Sequence, residues 1–122
     1  MMLPLLLLLS TGCDPKEDTA AFTCDRDPPL SYENYGSSFI ATHCEGCHSV
    51  FVPTDLREDA PPGVDLNTYS DVLAWADRID ARASTTESGM PPGGGPSEDE
   101  RVLLREWLHC SVYPDVERLA EE

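Results

Sequence analysis

Apolar residues in this chain fall into separate stretches, each with its own period. Met1 to Leu9 reads MMLPLLLLL, an unbroken apolar run too short to cross a bilayer. From Ser31 or Tyr32 into Cys47, the positions Gly36, Phe39, Ile40 and His43 recur at helical spacing. They predict a first helix with Ser31 as N-cap after Pro28-Pro29. A second helix is predicted from Tyr69 to about Ala83, capped by Thr68. Its apolar stripe is Val72, Trp75, Ala76, Ile79 and Ala83, with Asp77, Arg78, Asp80 and Arg82 assigned to the opposite side. The third has the clearest start: Ser97-Glu98-Asp99-Glu100 reads as a capping box, and three acids suit the positive end of a helix. Val102, Leu103, Trp107 and Cys110 form its stripe, flanked by Leu104 and Leu108, and it is expected to end by Ser111, before Tyr113-Pro114. Between Ser49 and Asn67 no period appears, and Pro53, Pro61, Pro62 and Gly63 interrupt the chain. Three main helices and no strand pattern predict an all-α fold.

Length and charge narrow the picture. A chain of 122 residues with 40% hydrophobic content supports one domain with a modest core. Eight basic residues stand against 23 acidic ones, a net charge of −15, and every charged residue follows Cys13. Such acidity repels a phosphate backbone and excludes nucleic acid as a partner. Residues 1–12 read as an export segment and residues 13–29, rich in Asp, Thr and Pro, as a flexible tether. The globular part is expected over residues 30–114, and residues 115–122 as an acidic, frayed tail.

The small residues Ser10-Thr11-Gly12 before Cys13 resemble a bacterial lipoprotein cleavage site. That resemblance implies cleavage before Cys13, a lipid on its sulfur, and anchoring on the periplasmic side of a membrane. The other reading is a plain secretory signal with an incidental cysteine. Either way the chain is expected to be exported.

His43-Cys44-Glu45-Gly46-Cys47-His48 contains C-x-x-C-H, the signature of covalent c-type haem attachment. The spacing has a physical reason. Cys44 and Cys47 lie one helical turn apart, so both thiols can add to the vinyl groups on one side of a porphyrin. His48 follows at once and offers its imidazole to the iron. A thioredoxin-like site would need a βαβ pattern, which is not visible. A zinc site of His43, Cys44, Cys47 and His48 would crowd four ligands into six residues. A Cys44–Cys47 disulfide would be strained.

The candidate for the second axial position is Met90, in Ser88-Gly89-Met90-Pro91-Pro92-Gly93-Gly94-Gly95-Pro96. A Met among Pro and Gly is poorly explained as core; the other reading is an exposed loop residue. His109 is a weaker alternative, and His43 lies too near the attachment site to cross the ring. Trp75 reads either as core or as an indole N–H donor to a haem propionate. Arg57 reads either as a propionate partner or as a solvated surface charge. Phe51 and Val52 are expected to pack on the ring.

Together these residues resemble the class I c-type cytochromes, over roughly Ser31 to Tyr113. Gly36-x-x-Phe39 is similar to that family's first helix, Cys44, Cys47 and His48 to its attachment motif, Met90 before a proline to its distal ligand. Trp107 is similar to the aromatic that packs across the first helix. The resemblance implies a cytochrome c-like fold around one covalent haem c, with a proline carbonyl, Pro61 or Pro62, orienting the His48 ring. It implies that the outer ends of the first and last helices meet, and hence a Cys24–Cys110 disulfide; the other reading is two unrelated buried thiols. The implied function is single-electron transfer by outer-sphere contact, with no enzymatic step. Redox proteins bearing a basic docking patch are the expected partners, and the lipid is the expected link to the membrane. Two further classes remain open: a haem enzyme or sensor in which Met90 gives way to peroxide or a gas, and a non-diffusing haem subunit of a membrane complex.

Overall fold

The computed structural model describes residues 22–122. The export segment, Cys13 and most of the expected tether lie outside the described residues. Among those described, all regular structure is helical and there is no strand. No helix among them is long and apolar enough to cross a membrane.

Helix α1 opens with a π-type turn, Tyr32–Gly36, and continues as Ser37–His43. Ser31 caps it reciprocally: its hydroxyl accepts the Asn34 N–H at 3.1 Å, and the Asn34 side chain accepts the Ser31 N–H at 2.7 Å. The helix stops at His43 rather than running to Cys47. Gly46 has little helix propensity, and the Cys44 carbonyl is taken by the N–H groups of Cys47 and His48, at 3.2 and 2.9 Å. The C-x-x-C-H segment therefore forms a turn of its own at the end of α1.

Helix α2, Tyr69–Ala83, has the expected limits and the expected Thr68 cap, completed by the Asp71 side chain. Helix α3, Glu98–Trp107, starts at the Ser97–Glu100 capping box as expected. It does not end by Ser111. A π-type stretch, Leu108–Val112, carries it into α4, Tyr113–Ala120. The wide turn lets Pro114 sit at the start of a new helical segment, where its missing N–H costs little. Two phenols pin α4: Tyr69 donates to Asp115 at 2.7 Å and Tyr113 to Asp80 at 2.9 Å. Residues 115–120, expected as part of a frayed tail, are thus helical, and Val116 packs against the core.

The core forms where α1, α2 and α3 meet, with Trp107, Ile40, Leu104, Leu108, Val72 and Val112 fully buried. Helix α1 crosses closely over Trp107. A Cβ built on Gly36 would lie 2.1 Å from Trp107 Cζ2, so only glycine fits there. Residues 22–29, expected as flexible tether, are strapped to the far end of this crossing. A disulfide joins Cys24 to Cys110 with Cα atoms 5.4 Å apart. Arg26 forks onto Glu106 at 2.6 and 2.9 Å.

Replacing Gly36 with Ala is expected to force the helices apart and destabilise the fold by about 1–3 kcal/mol, the usual cost of overpacking. Urea denaturation of the two proteins measures it. The charge network sets a second expectation. The Arg26 hydrogen bond holds the Glu106 carboxyl below the usual range, and hydrogen bonds from Arg118 and Tyr69 do the same for Asp115. Burial first, then neighbouring carboxylates, pushes the phenols of Tyr35, Tyr69 and Tyr113 up. Depressed carboxylates contribute stability above their unfolded pKa values, lost as pH falls through the lower folded ones. Raised phenols contribute below about pH 10, with loss as pH rises toward their folded values. The urea midpoint is therefore expected to be flat from about pH 5 to pH 10 and to fall on both sides.

Candidate functional site

The end of α1, the turn after it, the long loop before α2, one face of α2 and the loop before α3 enclose a cavity of about 430 Å³. That volume lies within the usual range for cofactor sites. Phe39, Val64, Leu66, Ile79 and Ala83 make its walls largely apolar. Cys44, Cys47, His48 and Met90, chosen from sequence alone, all line it.

His48 is aimed by its Nδ1, which is 2.9 Å from the carbonyl oxygen of Val64. An N–H at Nδ1 donating to that oxygen leaves the Nε2 lone pair available to a metal. The orienting carbonyl is Val64, not Pro61 or Pro62. The same oxygen accepts from Arg57 Nη2 at 3.1 Å.

Arg57 fits neither sequence reading. It is 3% exposed, so it is no surface charge. Its donors serve the loop itself: Nε to Ala60 O, Nη1 to Ser49 O at 2.6 Å, Nη2 to Pro61 O and Val64 O. Asp65 balances its charge at 2.8 Å, off the axis of these bonds. Arg57 does not line the cavity. The unpatterned stretch between Ser49 and Asn67 is folded around a cation instead of an apolar core. Phe51, expected on the ring, is 85% exposed, and neither it nor Val52 lines the cavity.

Trp75 lines the cavity, and so do Arg78 and Arg82. The sequence reading missed these two arginines by assigning them to the polar side. The signal was angular: on a helix, positions 75, 78, 79 and 82 fall within one sector, because seven residues complete almost two turns. They place two cations on the α2 wall beside Trp75.

Met90 is brought to the cavity by the loop after α2. Its N–H donates to Arg82 O at 3.0 Å. Gly89 has φ +87°, the left-handed conformation that delivers the chain into Met90. Gly95 lies under the Pro91 ring, where a Cβ would come within 2.8 Å of Cγ and Cδ. The alternative ligand, His109, is elsewhere: it pairs with Asp80 at 3.2 Å, stacks on Phe22 and does not line the cavity. His43 lines it but is turned to Glu100, 3.3 Å away, with its ring against Phe39.

Burial pushes the Cys44 thiol up to about 12, so it is neutral and no activated thiolate. Among the described residues no group of three or more His, Cys, Asp or Glu is arranged to hold a metal ion, which leaves the crowded zinc quartet without support. What the cavity offers instead is two thiols, an oriented imidazole and a thioether around a largely apolar space.

Compared with known proteins, the chain matches no family model, no curated protein and no solved structure.

Replacing Arg57 with Leu is expected to leave Asp65 without its counter-charge and to remove one donor from each of four loop carbonyls, destabilising the fold by about 3–5 kcal/mol, the range for breaking a buried pair. Urea denaturation measures the loss, and Arg57→Lys is expected to recover only part of it, lacking the planar fork.

Proposed function

We propose that the chain is a monohaem c-type cytochrome with a cytochrome c-like fold, carrying single electrons in the bacterial cell envelope. One observation carries the reading: Cys44, Cys47, His48 and Met90 converge on a single apolar cavity, with His48 oriented through Nδ1. A haem held there would supply a one-electron Fe(III)/Fe(II) couple.

The chain's own residues do the rest. Cys44 and Cys47 would hold the ring through thioethers. His48 Nε2 and the Met90 sulfur would both bind the iron, which would leave no open site for a substrate and favours outer-sphere transfer. A Met/His pair raises the reduction potential. Phe39, Leu66 and Ile79 exclude water from the faces of the cavity. Arg78 and Arg82, beside Trp75, are better placed than Arg57 to meet the carboxylates of the haem. The net charge of −15 would steer the protein toward a basic patch on its redox partner. A lipid on Cys13 would keep it near membrane-bound partners and raise their effective concentration.

The reduced absorption spectrum of the exported protein is expected to be that of a c-type haem, bound covalently through denaturation. The ferric sulfur-to-iron band is expected to vanish in Met90→Ala. Covalent haem with a spectrum indifferent to that substitution would overturn Met90 as ligand and favour an open-site enzyme or sensor. Absence of covalent haem would overturn the reading as a whole.

A further inference from the structure

Arg101 lies near the middle of α3 and is 3% exposed. A guanidinium buried this deeply is ordinarily met by a carboxylate. Among the described residues no carboxylate lies within ion-pair distance of Arg101. Arg57, equally buried, has Asp65. Arg101 instead donates only to backbone carbonyls: Nη1 to Ala83 at 2.6 Å and to Met90 at 3.0 Å, Nη2 to Gly94 at 3.0 Å. Its Nε has no acceptor.

Those three carbonyls map the Met90 loop. Ala83 ends α2, Met90 sits at the cavity, and Gly94 lies in a run of glycines whose φ values are all positive. Glycines bring no side chains to pack, so the loop has little of its own to hold its shape. From the other side, the Met90 N–H is bonded to Arg82 O. The Met90 backbone is therefore gripped at both ends, by the last turn of α2 and by Arg101.

We propose that Arg101 is a positioning residue for Met90, fixing its backbone so that the thioether is presented to the cavity. This rests on the reading of Met90 as an axial ligand. Its positive charge, felt by Glu87 but not paired to it, also favours the less positive, reduced state of a cofactor held there. A purely structural arginine would lower the melting temperature without changing how firmly Met90 occupies its place. Ligand competition separates the two roles, because an added ligand binds only in the fraction of molecules whose Met90 has swung away.

The test uses the full-length, exported, haem-loaded protein and free imidazole as the competing ligand. Wild type, Arg101→Met, Arg101→Lys, Met90→Ala and Arg105→Met are compared. Arg105 bonds the carbonyl of Ser84, where the loop leaves α2, but not Met90 or the glycine run, and serves as control. Both Arg101 variants are expected to bind imidazole about tenfold more tightly or better, the weight of a hydrogen bond from a charged donor. Arg105→Met is expected to stay within about twofold of wild type. Hydrogen exchange at the Met90 amide is expected to accelerate in the Arg101 variants alone. The reduction potential is expected to fall in Arg101→Met and to be largely kept in Arg101→Lys, which retains the charge.

Wild-type imidazole affinity and wild-type Met90 exchange in Arg101→Lys would overturn the proposal. That variant decides the matter if Arg101→Met fails to fold. If Met90→Ala binds imidazole no better than wild type, the axial-ligand reading fails instead. The amide exchange then still reports whether Arg101 holds the Met90 backbone.

Discussion

The structure depends on the close approach of α1 to Trp107, made possible by Gly36. An α-helix carrying a side chain there would have to stand off, and the indole would lose the surface it covers. Everything that reaches the cavity is referred to that crossing. The motif turn hangs from the end of α1. The loop bearing Met90 is gripped by α3, which also carries Trp107. The strap through Cys24 and Cys110, with Arg26 on Glu106 beside it, ties the chain entering α1 to the end of the α3 segment. The distance between the two halves of the donor set is thereby set by rigid elements, although both halves lie in irregular backbone.

Two buried arginines do for the irregular parts what the apolar core does for the helices. The loop before α2 buries only Leu66 of its large apolar side chains, and the loop before α3 contains few, so neither can collapse on its own. In each, a guanidinium gathers several loop carbonyls onto one centre. The planar fork suits the task, since its donors point in fixed and different directions. The two differ in electrostatics, one balanced by Asp65 at ion-pair distance and one facing Glu87 only from farther away.

Much of this was legible in the chain. The limits of α2 followed from its period and its Thr68 cap, and the start of α3 from four residues, Ser97 to Glu100. Cys44, Cys47 and His48 could be selected by the C-x-x-C-H spacing, and Met90 because a methionine among Pro and Gly is poorly explained as core. Three features were hidden, for distinct reasons. Arg57 sits in a stretch with no period, and its partners are main-chain atoms that carry no sequence signature. Arg78 and Arg82 were placed by charge instead of by angle around the helix. Tyr113-Pro114 read as a stop, because the penalty of a proline is local, while the widened turn that relieves it depends on packing against α2. The Val64 carbonyl, likewise, is a property of how the loop folds back.

The strap and the motif together pose a problem of order. Cys24 and Cys110 are separated by 86 residues, whereas Cys44 and Cys47 are neighbours on one turn. Chain statistics favour the short closure over the long one. In an oxidising compartment an unfolded chain would bring the wrong pair together more often, despite the strain of closing so small a ring. Folding inverts that preference: it brings Cys24 and Cys110 together and buries the Cys44 sulfur as a neutral, poorly nucleophilic thiol. The tertiary structure thus acts as a chemical sorting device among otherwise equivalent sulfurs, committing one pair to the scaffold and keeping the other in reserve.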